Sequence, residues 1–172
     1  MKYLAPAADL AVLEAPGSGS HTGLPIEQSP EGEVENAFAF GFPRGILGAT
    51  EDELVGRAKL RLRGHLSGTA PVLAWTETKR YPDDIDSLAG ISGGPMIDDS
   101  GNVIGNIVAA SVRCGLNYTV APEILREIAH QLGAQFGMSP ARDLVSRPVS
   151  LASAADTLRR ASRIAETYCI PP

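Results

Sequence analysis

Ser92 lies in the run Asp86-Ser87-Leu88-Ala89-Gly90-Ile91-Ser92-Gly93-Gly94-Pro95, the densest concentration of chemically useful residue types in the chain. Glycines on both sides let the backbone approach a bound molecule, and they let two N–H groups converge on one developing negative charge. A hydroxyl in such a loop is a candidate nucleophile. Two templates fit Gly90-Ile91-Ser92-Gly93-Gly94. One is a strand-turn-helix elbow, which needs a core strand before the serine and a helix after it. Pro82-Asp83-Asp84-Ile85-Asp86 is no core strand and Pro95 opens a hairpin, so the elbow is rejected. The other is a serine on a glycine-rich loop leading into a β-hairpin, and it fits.

A serine nucleophile needs a base, and the histidines give no obvious one. His65 sits in a strand of alternating charge, His130 lies on a helix, and His21 is in a loop. Their spacing matches no zinc pattern, and each reads as a surface or loop histidine. His21 is not formally excluded, because a triad is defined by geometry rather than order. No metal or cofactor is expected.

The elements that must hold this loop are mostly strands. Leu10–Leu13 reads as one short strand, opened by Asp9 and followed by a loop to about Asn36. In 37–42, three phenylalanines alternate with Ala and Gly, which predicts a strand with one face buried and the other closely approached. Further strands are expected at 58–63, 72–76, 95–97, 103–110 and 116–120. From Asn36 onward six strands with short turns suit a small Greek-key barrel. Pro122-Glu123 opens a helix whose stripe runs through Ile124, Leu125, Ile128, Leu132 and Phe136. After a linker at 138–152, a second helix is expected from Ser153 to Tyr168, capped by Ser153 with Asp156 and docked on the barrel. The expected fold is all-β, a six-stranded antiparallel barrel followed by two helices.

Bulk properties narrow the function. The 172 residues are 44% hydrophobic and 20% charged, enough for one core. With 15 Lys+Arg against 20 Asp+Glu the net charge is −5, which argues against a nucleic-acid platform. No run has the length of a membrane span. Asp9 and Glu14 interrupt the apolar start, so it does not read as a signal peptide. Cys114 and Cys169 cannot make a disulfide framework and leave the compartment open, cytoplasmic or exported.

With Ser-Gly-Gly-Pro at 92–95 entering a hairpin, the sequence resembles the trypsin-like serine peptidases, in particular disulfide-poor bacterial members, from Asp9 to about Ile128. Asp9-Leu10-Ala11-Val12-Leu13 resembles the segment carrying the triad aspartate. Phe40-Gly41-Phe42-Pro43-Arg44-Gly45 looks like the turn closing the first strand of the second barrel, and Tyr118-Thr119-Val120 resembles the last strand. The resemblance implies Ser92 as nucleophile, Asp9 as the orienter of the histidine, and the N–H groups of Gly90 and Ser92 as the oxyanion hole. It also implies Ala109-Ala110-Ser111 as the strand that pairs with a peptide substrate. It further implies the second barrel of a two-barrel peptidase: residues 1–35 are a remnant of the first barrel with a connecting loop, 36–137 the second barrel and its helix, and 138–172 a linker and final helix.

Three features depart from the family. Ile91 stands where an aspartate precedes the nucleophile, Leu88 stands where Cys114 would find a disulfide partner, and no histidine precedes Asp9. The expected function is therefore peptide-bond hydrolysis through an acyl-enzyme on Ser92, with a histidine upstream of or outside this chain. The rival is a non-catalytic remnant serving as a peptide-binding or scaffold module. An uncovered barrel interface would favour self-association. For specificity, Asp86 stands six residues before Ser92, where relatives that cleave after Arg or Lys carry a carboxylate. Leu116 stands where open-pocket members keep Gly and would narrow the slot to a small apolar residue. Both readings stay open.

Overall fold

The computed structural model describes residues 3–13, 23–27, 34–62, 68–111, 113–133 and 150–167. Its centre is a closed six-stranded antiparallel barrel of β3 (Asn36–Gly41), β4 (Gly48–Leu62), β5 (Gly68–Tyr81), β6 (Pro95–Asp98), β7 (Val103–Ser111) and β8 (Leu116–Val120). Around the barrel the order is β3-β4-β5-β8-β7-β6, and β6 pairs back to β3. The hairpin of β1 (Tyr3–Ala5) and β2 (Leu10–Val12) forms a separate two-stranded sheet. Helices α1 (Pro122–Gln131) and α2 (Leu151–Arg160) follow the barrel.

β3 shows how the alternation is used. Its small residues Ala37 and Ala39 face the lumen with Trp75, Met96, Ile104 and Ile107. Large side chains at these two lumen positions would not fit, because Trp75 is fully buried there and its indole Nε1 donates to Thr119 Oγ1 at 2.9 Å. Phe38 and Phe40 point outward, yet they are also buried, against Ala154, Ala155 and Leu158 of α2 and against Ile164. Both faces of β3 are thus covered, one by the barrel and one by a helix.

β4 and β5 form a much longer hairpin than the expected 58–63 and 72–76, pairing from Ala49↔Tyr81 to Leu62↔Gly68. The first half of β4 is hidden from a hydrophobic pattern because its inward residues, Thr50 and Asp52, are polar and fully buried. The segment expected to be plain loop before Asn36 also contributes: Ile26 is buried and bridges Val103 in parallel. α1 stops at Gln131, short of the expected Phe136, and Gly133 takes a left-handed φ of 59° where the helix ends. α2 begins at Leu151 rather than Ser153. Its cap is Ser150, whose side chain accepts from the Ser153 N–H at 3.1 Å, and it ends at Arg160 rather than Tyr168. Phe136, Tyr168, Cys169, His21 and His65 lie outside the described residues.

Candidate active site

Ser92 is exposed on a tight turn between the 82–88 loop and β6. Gly90 and Gly93 have φ of 99° and 88°, conformations that side-chain-bearing residues rarely adopt. Gly94 is constrained by space instead: a Cβ there would lie 2.1 Å from the Phe40 carbonyl oxygen. Ile91 is 1% exposed and packs against Gly41 and the lumen residues. Backbone bonds complete the brace: Ile91 N–H to Leu88 O at 3.0 Å, Gly93 N–H to Ile107 O at 2.7 Å and Gly94 N–H to Ile91 O at 2.9 Å. The turn is therefore pinned from below by an isoleucine packed among apolar lumen residues.

Among the described residues the N–H groups of Gly90 and Ser92 donate to no acceptor, and Ser92 Oγ has no hydrogen-bond partner. Two unspent donors beside an unpaired hydroxyl suit attack on a carbonyl. The serine opens onto a hollow of about 340 Å³, walled by 40–42, Gly45, the 90–95 turn and 163–167. That last wall had no signal in the sequence, since its approach depends on Ile164 burying against Phe40 and Leu158.

Asp9 is exposed at the β1–β2 turn, with φ of 51°, and is not part of this wall. His130 is exposed near the end of α1. Ala109, Ala110 and Ser111 pair with Tyr118, Asn117 and Leu116 on one side. On the other side β6 pairs with β7 only up to Asn106, so 109–111 present an edge with no strand among the described residues. Asp86 is exposed, its carboxylate 2.8 Å from Arg44 Nη1, with side-chain exposures of 77% and 59%.

A much smaller slot of about 10 Å³ is touched by Leu88, four residues before Ser92, by Ala110, Ser111, Gly115, Leu116 and Asn117, and by Glu77 and Arg80 of β5. Glu77 and Arg80 are three apart in a strand, a spacing that ordinarily puts side chains on opposite faces. A register shift at Thr78, between the pairs Glu51↔Lys79 and Asp52↔Glu77, brings them together. Arg80 Nε and Nη2 donate to the two Glu77 oxygens at 2.5 and 2.9 Å, and Nη1 donates to Ile85 O at 2.6 Å. Next to them, Asp52 accepts from Thr50 Oγ1 and, at 2.6 Å, from Asn117 Nδ2. Burial pushes the Asp52 carboxyl up to about 6, with Glu77 adding to the rise and the two hydrogen bonds and Arg80 opposing it. No cluster of metal-ligating side chains occurs among the described residues.

The trypsin-like peptidase domain model matches residues 1–105. The chain belongs to the trypsin-like peptidase domain family. A comparison with curated proteins gave no match. Among solved structures, this peptidase domain is similar to the active form of the Rv3671c protease from M. tuberculosis, with a TM-score of 0.51 and 20% identity over 67% of this chain and 50% of that one. At that identity the likeness speaks to fold alone. The MamO protease domain from Magnetospirillum magneticum matches with a TM-score of 0.41 and 20% identity, over 55% of this chain and 47% of that one. The murine norovirus NS6 protease, as an inactive mutant, matches with a TM-score of 0.44 and 18% identity, over 62% and 58%. At these scores the last two add nothing to the fold assignment. The chain spans about half the length of the solved proteins it matches. The closed barrel agrees with the expected fold, and the family with the expected peptidase class. No helix among the described residues is long and apolar enough to cross a membrane.

Proposed function

We propose that this peptidase domain is the nucleophile-bearing part of a serine endopeptidase. In this reading Ser92 Oγ attacks a peptide carbonyl while its proton passes to a histidine upstream of or outside this chain, oriented by Asp9. The N–H groups of Gly90 and Ser92 hold the oxyanion. Collapse breaks the C–N bond, the leaving amine takes the proton from the histidine, and water then hydrolyses the Ser92 ester. The substrate lies as an added strand along 109–111. The observation that carries the proposal is the pinned turn, which exposes an unpaired Ser92 hydroxyl beside two unspent N–H donors.

A second reading, a peptide-binding module without catalysis, draws on the edge at 109–111 and on the absence of a described histidine at Ser92. Covalent labelling with a fluorophosphonate separates the two. Labelling that maps to Ser92 and disappears in Ser92→Ala is expected, in this chain or in a form extended upstream. Peptide binding without labelling of either form would leave the binding module.

A further inference from the structure

The small slot that Leu88 lines contains a charge of its own, and that bears on which substrates the proposed peptidase accepts. Leu88 ties the slot to the turn, because it is one of the residues lining the slot and its carbonyl accepts the Ile91 N–H. Ala110 and Ser111 line it from the strand edge, and Leu116 narrows it. About 10 Å³ remains, room for roughly one water.

The Arg80 guanidinium makes the hydrogen bonds that a basic substrate side chain would seek in such a slot. It forms a two-pronged fork on the Glu77 carboxylate, and its third nitrogen donates to a backbone carbonyl. Glu77 is 10% exposed and Arg80 25%, so this is a largely enclosed pair rather than a surface one. The better-exposed carboxylate, Asp86, is occupied by Arg44 outside the slot.

We propose that Arg80 is a built-in occupant of the specificity slot: paired with Glu77, it shuts the slot to Arg and Lys and restricts the acyl side of the scissile bond to Gly or Ala. The proposal rests on the peptidase reading for its consequence, but the occupancy itself can be tested without turnover. Removing Arg80 leaves the Glu77 carboxylate unpaired, with the Asp52 carboxyl nearby, in a slot enlarged by the volume of the missing side chain. Such a slot should take up an amidinium or guanidinium ion.

The probe is p-aminobenzamidine, followed by its fluorescence at pH 8. Arg80→Ala should bind it at least tenfold more tightly than the unmodified chain, and adding Glu77→Gln should abolish the gain. Should Arg80→Ala fail to give a cooperative melt, Arg80→Gln keeps much of the stem packing and should show the same selectivity in weaker form. Leu116→Gly widens the mouth while leaving the pair intact, and should still exclude the probe. Equal binding by the unmodified chain and the folded Arg80 variant, or tight binding by Leu116→Gly, would overturn the proposal. A fluorophosphonate failure with a positive amidine result would remove the peptidase reading and leave Arg80 as the plug of a cation-binding slot.

Discussion

Around Ser92 the chain is held by apolar packing and backbone hydrogen bonds, whereas around Glu77 and Asp52 it is held by polar side chains that depend on one another. Ile91 anchors the first region in the lumen. Thr50, Asp52 and Asn117 are all fully buried in the second. No buried side-chain nitrogen or oxygen among the described residues lacks a partner, so the polar region is complete as built. The two regions should answer differently to perturbation. An apolar anchor is indifferent to protons and intolerant of charge, while a buried acid responds to pH and can be improved by neutralisation.

The largest effect is expected at the apolar anchor. Ile91→Asp places a carboxylate in a site 1% exposed among the apolar lumen residues, and should lower stability by about 4 kcal/mol or more, read as loss of the cooperative melt at neutral pH. Recovery at acid pH, where the group is neutral, would sharpen the comparison. Full stability at pH 8 would break it.

Asp52→Asn should act in the opposite direction. The carboxyl takes up a proton near pH 6 in the fold and at its ordinary 3.8 in the unfolded chain. Between those values the folded form binds more protons, so its contribution to stability falls as pH rises through that window. Denaturant titrations should show Asp52→Asn more stable than the parent by up to about 3 kcal/mol at pH 8, with the advantage gone by pH 4. An equal difference at both pH values would mean that the acid is not responsible.

Glu77→Ala should cost about 2 kcal/mol at neutral pH, less than a fully buried pair because Arg80 keeps some contact with water. A cost below about 0.5 kcal/mol would place the pair with surface salt bridges. Arg44→Ala is the smallest change. Its partner Asp86 is well exposed, so urea midpoints should correspond to a loss within about 0.5 kcal/mol.

What could be read from the sequence follows the same division. The strict alternation at 37–42 marked β3, and glycines around Ser92 marked the turn, because these features are local. The first half of β4 was illegible since Thr50 and Asp52 point inward where a pattern reader expects apolar residues. The Glu77–Arg80 pair was illegible for another reason: only the register shift at Thr78 puts the two on one face. Likewise Asp86 has the right offset from Ser92 along the chain, but that offset does not say that Arg44 would meet it. The wall formed by 163–167 depends on a contact between distant parts of the chain, for which a single sequence holds no sign.

The aromatic face of β3 is covered by α2, and these elements lie far apart in the order of synthesis. At about 5–20 residues per second, the roughly 120 residues between Phe40 and Leu158 take roughly 6–24 s to make. During that interval Phe38 and Phe40 have no helix to bury them, even if the barrel strands have already paired. The nascent chain therefore presents an oily stripe for seconds, long enough to engage a holdase or to meet another nascent chain. The risk of misassembly is concentrated in the stage before α2 leaves the ribosome.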